Sequence, residues 1–137
     1  LQNAMFPYYV LFIKQVDRLQ ATLTMVEFMR DHLAPQLRVD NPHDLKLAHE
    51  VQSMIYNAEA KLRTSLYREE SRGTHYREDF PNRNDPDWLA WISLQRDGDQ
   101  MKLWKRPIPE KWWPDLSQPY EQLYAARMPG ETLEAAE

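Results

Sequence analysis

With 137 residues, 42% of them hydrophobic, the chain has the size and apolar content of one domain. A formal charge of −4, with Lys and Arg interleaved among acids, excludes a nucleic-acid platform, because phosphate binding needs clustered cations. The lack of cysteine removes disulfides, iron–sulfur ligation, thiolate zinc sites and thiol nucleophiles, and three glycines in the whole chain leave no dinucleotide-binding or P-loop motif.

The chain opens at Leu1 inside an apolar pattern and reads as a piece of a longer polypeptide, with residues 1–6 the remnant of a helix cut short. Residues 5–13 (MFPYYVLFI) are too few to span a bilayer and contain Pro7, so no direct membrane insertion is expected. No basic segment precedes them, as a secretory signal would require. From Phe12 the apolar positions Phe12, Val16, Leu19, Leu23, Val26 and Leu33, with Met29 near the line, mark one face of a helix. Pro35 should stop it near Leu33.

A second helix is announced by Asn41 as N-cap, Pro42 at the first helical position and Asp44 at the positive end of the helix dipole. Its stripe runs through Leu45, Ala48, Val51, Ile55, Ala58, Leu62 and Leu66. The two helices should pack antiparallel. Two stripes make a thin core, so the expected fold is mainly α: an antiparallel three-helix, spectrin-repeat-like bundle over residues 1–68 with its first helix truncated. An irregular charged segment (69–90), a β-hairpin (91–106) and an extended tail (107–137) should follow, all within one domain.

The hairpin rests on Asp97-Gly98, a strong turn signal between alternating runs. Trp91, Ser93 and Gln95 should share one face, with Ile92, Leu94 and Arg96 on the other. The tail is rich in proline and aromatics. Proline at that density prevents regular structure, and Trp112, Trp113, Tyr120 and Tyr124 would be poorly solvated if free. It should form a strap whose rings enter a surface groove, with residues after Gly130 frayed.

Candidates for chemistry are few. His43 and His49, six apart, fall on different helix faces and should not share a metal, and His32 suits the last turn of its helix. The acids at Glu69-Glu70, Glu78-Asp79 and Asp85-Pro86-Asp87 each have an arginine close in sequence, so ion pairing accounts for them better than glycosidase chemistry. No serine stands in a GxSxG setting. No catalytic residue, metal ligand or cofactor-binding residue is expected in this chain.

The remaining stretch is residues 70–85, ESRGTHYREDFPNRND. Its arginines are rigid forks alternating with acids, Gly73 permits a sharp turn, and Phe80-Pro81 supplies an apolar anchor. It resembles the Glu-Ser-Arg-Gly-Ala-His-x-Arg-x-Asp-Phe/Tyr-Pro-x-Arg-Asp-Asp pattern in the C-terminal domain of fumarate reductase and succinate dehydrogenase flavoproteins, a family that also includes L-aspartate oxidase and the adenylylsulfate reductase flavoprotein. Glu70, Ser71, Arg72, Gly73, His75, Arg77, Asp79, Phe80, Pro81, Arg83 and Asp85 match it, while Thr74 replaces an alanine and Asn84 an aspartate.

The resemblance implies that FAD belongs to an upstream domain of a parent oxidoreductase and that this chain is inactive alone. It implies a buttress role, with Glu70, Arg72, Gly73, His75, Arg77, Asp79, Arg83 and Asp85 facing the flavin-binding and capping domains of the same polypeptide. An alternative is a module recruiting an iron–sulfur electron-transfer partner through Trp112, Trp113, Tyr120 and Tyr124. The implied location is cytoplasmic, with any membrane association supplied through other subunits.

Overall fold

A computed structural model describes residues 1–98 and 100–124 of the chain. The expected fraying after Gly130 lies outside the described residues. The chain begins with two four-residue helices, α1 (Gln2–Met5) and α2 (Tyr8–Leu11), separated at Pro7, which sits at the N-cap of α2. Both pack against the first long helix. Val10 enters the core, and Leu1 and Met5 pack against it.

The first long helix differs from expectation at both ends. Ile13 and Lys14 form a short strand, β1 (Ile13–Lys14), so helix α3 (Val16–Phe28) starts only at Val16. Phe12, Val16 and Leu33, expected on the buried stripe, are consequently 52%, 44% and 49% exposed. At the other end the helix widens into a π-helical turn (Met29–Leu33) and closes with a 3₁₀ turn (Ala34–Gln36). Pro35 explains this. It has no N–H for the Asp31 carbonyl four residues back, and its ring crowds that carbonyl, so the regular ladder cannot continue.

Helix α4 (Pro42–Tyr67) starts as the sequence predicts: the Asn41 side chain accepts from the Asp44 amide at 3.0 Å, and Pro42 occupies the first turn. Leu19, Leu23 and Val26 of α3 meet Ile55, Ala58 and Leu62 of α4 around Val10. The stripe of α4 is only partly covered, because α4 has 26 residues against 13 for α3. Leu45, at the uncovered end, is 48% exposed. The two helices are also clipped by charge. Glu59, 1% exposed, lies between Arg30 and Arg63, and Arg63 reaches Glu27 at 2.7 Å.

Two small sheets complete the frame. Strand β2 (Tyr76–Arg77) pairs parallel to β1, with Ile13 opposite Tyr76 and Lys14 opposite Arg77. Strands β3 (Ala90–Asp97) and β4 (Gln100–Pro107) form the antiparallel hairpin, in register from Ala90↔Pro107 to Asp97↔Gln100. Gly98 turns it at φ +61°, a left-handed conformation that glycine adopts without strain. Trp88 anchors the hairpin to the helices: it is 5% exposed, meets Tyr67 edge-on at 6.0 Å, and lies under Arg68 and Lys105. A 3₁₀ turn (Glu110–Trp112) and a short helix α5 (Tyr120–Leu123) follow.

Candidate functional site

Residues 70–85 fold into a tight loop held by their own side chains. Ser71 is its pin. Its hydroxyl accepts from the Arg77 amide at 2.8 Å and donates to the Phe80 carbonyl at 2.8 Å, while its amide donates to the Asn82 carbonyl at 3.0 Å. Between them, Arg72 and His75 exchange backbone bonds of 2.8 and 3.0 Å around Gly73, whose φ of +61° the turn requires.

Glu70 is fully buried, at 0% exposure. Its carboxylate accepts from Arg68, from Arg72 Nε at 2.8 Å and Nη2 at 3.0 Å, and from the Asn84 amide at 3.1 Å. Arg72 also grips Asp85, which in turn accepts from the Tyr124 hydroxyl. Burial works against the Arg72 cation, but its bonds to Glu70 and Asp85 outweigh that and raise its pKa. Burial and the bond to Asp85 push the Tyr124 hydroxyl up.

Arg77 is 1% exposed and joins two helix ends. One guanidinium nitrogen donates to the carbonyls of Ser65 (2.8 Å), Leu66 (3.3 Å) and Arg68 (3.2 Å), groups that the last turn of α4 leaves without intrahelical partners. Its other side pairs with Asp79, at 2.7 Å from Nε, over the Phe80 ring. Asp79 accepts in turn from the Val16 amide at 3.3 Å, the open N-terminus of α3. Burial raises the Asp79 pKa, but the Arg77 bonds prevail and hold it below the usual carboxylate value. A cation thus meets the negative end of one helix and an anion the positive end of another, each favoured by the helix dipole. Arg18–Glu78, at 2.8 Å, repeats the link at the surface.

These contacts alter the expectation of an outward-facing segment. Glu70 and Arg77 lie inside the domain, so their side chains cannot touch a neighbouring domain directly. Arg72, His75, Asp79, Arg83 and Asp85 are partly buried and Gly73 is exposed. Sequence reasoning misplaces the inward pair because charge density reads as solvation when the partners are unseen. It misses Arg68 altogether, although Arg68 pairs with Glu70 and bonds the Ala90 carbonyl at 2.6 Å. Its position two residues before Glu70 is the available signal.

The tail folds back onto the same loop. Tyr120 accepts from the Arg83 amide at 2.9 Å, Arg83 lies 4.0 Å over the Tyr124 ring, and Trp113 donates to the Ile108 carbonyl at 2.8 Å. Of the four aromatics expected on a partner surface, Trp112 alone stands well out, at 70% exposure. The segment therefore joins α3, α4 and the tail, and is linked to the hairpin through Arg68.

Among the described residues no group of three or more His, Asp or Glu could hold a metal ion. Among the described residues, Gly73 and Gly98 each serve an isolated turn, and neither opens a helix toward a pyrophosphate. Among the described residues no helix is long and apolar enough to cross a membrane.

Comparison with known proteins gives a consistent result. A family model described as fumarate reductase flavoprotein C-term matches residues 1–123. An uncharacterized FAD-dependent oxidoreductase of Methanocaldococcus jannaschii is 34% identical over 87 residues, covering 64% of this chain and 16% of that protein. A fumarate reductase (CoM/CoB) subunit of Methanothermobacter marburgensis is 34% identical over 91 residues, with the same coverage. A fumarate reductase flavoprotein subunit of Mycobacterium tuberculosis is 38% identical over 76 residues, covering 55% of this chain and 12% of that protein. The chain thus spans about a sixth of the length of the first two relatives. A mutant FrdA of E. coli quinol fumarate reductase superimposes with a TM-score of 0.73 at 22% identity, covering 82% of this chain and 20% of that one, which establishes the likeness of fold.

Proposed function

The chain belongs to the fumarate reductase flavoprotein C-terminal family, and from that premise we propose that it is the buttress of an FAD-dependent oxidoreductase of the fumarate reductase/succinate dehydrogenase type. In this reading FAD and the catalytic residues reside upstream, and this domain docks on the flavin-binding and capping domains without doing chemistry itself. Its first helices complete an antiparallel bundle with α3 and α4, and its location is cytoplasmic.

The observation that carries the reading is the apolar surface at the start of the chain. Phe6, Tyr8, Tyr9 and Phe12 are 66%, 63%, 55% and 52% exposed close together in sequence around α2, and the rings of Tyr8 and Phe12 lie 5.3 Å apart. Such a concentration of exposed aromatics favours an interface. The loop of residues 70–85 reaches the same region through the β1–β2 ladder, which pairs Ile13 with Tyr76 and Lys14 with Arg77.

The test is Tyr8→Ser combined with Phe12→Ser in a flavoprotein subunit carrying this chain. Burying an aromatic is worth about 1.5–3 kcal/mol, so the pair should weaken docking by roughly a hundredfold or more. Bound flavin should fall and proteolysis between the domains should quicken, with unchanged helical circular dichroism. Wild-type flavin content and protease resistance would refute the reading. Arg77→Ala cannot serve here, because it damages the domain itself.

Trp112 favours a second role, recruitment of an iron–sulfur subunit, since it stands exposed beside Lys111 when the neighbouring aromatics are tied down. Trp112→Ala should then weaken capture of that partner at least tenfold and leave flavin content unchanged. Undiminished capture rules the role out.

A further inference from the structure

One pocket gathers cations with no acid among the residues that line it. It encloses about 440 Å³ between α2, the β1–β2 ladder and α4, and presents Lys14, Lys61, Ser65, Thr74 and His75 behind a rim formed by Phe12. Lys14 is 4% exposed, yet among the described residues its ammonium makes only a long bond, 3.4 Å, to the Phe12 carbonyl. An ammonium carries three donors. Burial, then the positive charges of Lys61 and Arg77, pull its pKa down to about 8.

His75 shows the same deficit. Its Nε2 is buried without a hydrogen-bond partner among the described residues, and burial, then the Lys14 charge, lowers its pKa to about 4. Both groups are shaped for an anion that the described residues do not supply. Glu70 and Arg77, equally buried in the adjoining loop, show the contrast: each has its charge matched by partners within the domain.

We infer that this pocket is a carboxylate-binding site, in which the oxyanion accepts from Lys14 Nζ and, once its charge has drawn a second proton onto the imidazole, from His75 Nε2, with Lys61 at the mouth. A carboxylate fits better than an apolar group because it meets two unsatisfied polar groups and offsets the like charges of Lys14, Lys61 and Arg77. It comes either from an acidic side chain of a docked neighbouring domain or from a small free carboxylate. The first source rests on the docking reading above; the second does not.

The experiment compares thermal midpoints of the flavoprotein subunit carrying this chain, as wild type, Lys14→Met and Lys14→Arg, in acetate and in chloride at equal ionic strength. A free carboxylate gives a wild-type midpoint that rises with acetate, a rise that Lys14→Met abolishes and Lys14→Arg keeps. That outcome stands even if the Tyr8/Phe12 variant retains its flavin and the docking reading fails. A carboxylate from a neighbouring domain gives no acetate dependence. Lys14→Met then lowers the midpoint by several degrees, or prevents folding, and Lys14→Arg restores it. Two results overturn the site. One is no acetate dependence with a Lys14→Met midpoint equal to or above wild type, because removing an unpaired buried cation relieves its desolvation. The other is a loss that Lys14→Arg fails to restore, which marks a packing effect.

Discussion

The guanidinium of Arg77 meets carbonyls at the end of α4, while its partner Asp79 meets the first amide of α3. Removing the guanidinium would leave the partly buried Asp79 carboxylate without its arginine and up to three carbonyls at the end of α4 without that donor. Breaking such a buried pair costs about 3–5 kcal/mol. Arg77→Ala should therefore lose that much in denaturant unfolding, and Arg77→Lys should recover little, because a point charge cannot serve both sides of the planar fork. A loss below about 1 kcal/mol would contradict this account. The eleven matching positions are visible in the sequence, and so is the chemistry of each. Their direction is not. Glu70 finds Arg68 and Arg72 two residues to either side, and only the turn at Gly73 and the hydroxyl of Ser71 bring Asp85 and Asn84 to the same carboxylate and its arginines.

At the level of elements, the legible features depend on neighbours in sequence. Asn41, Pro42 and Asp44 stand within one turn, and the cap forms as read. Asn41→Ala should cost about 1 kcal/mol and lower the thermal midpoint, with Asn41→Asp close to neutral, as circular dichroism melts would record. The hairpin belongs to the same class, since Gly98 and its alternating flanks are local. The start of α3 does not. Ile13 and Lys14 carry a helical pattern, but pairing with Tyr76 and Arg77 draws them into a strand, a partnership that no local period encodes. The widened turn after Phe28 is intermediate: Pro35 is visible as a stop, yet a stop can be made abruptly or by loosening the ladder first, and here the second occurs.

For the molecule as a whole, the buried cluster of α2, α3 and α4 is small, and the larger aromatic residues are distributed around it. The hydrophobic fraction of the sequence is therefore a poor guide to how much core this chain builds alone. Much of the apolar content faces outward at α1, α2 and the early turns of α4, where composition cannot distinguish a core from a contact surface. What gives the domain its firmness is instead the polar loop, which with Arg68 ties four separate parts together through ion pairs and ring contacts.

The bond from the Val16 amide to Asp79 spans 63 positions. During synthesis α3 leaves the ribosome long before the carboxylate that completes its first turn exists. The nascent helix must wait with an open end, and β1 without its partner strand, until the loop of residues 70–85 has emerged. Closing so long a loop is slow and entropically uphill until the contacts around Arg77 form. The order of translation thus makes this loop the last locking step of the helical half, and leaves the N-terminal aromatics open to chaperones in the interval.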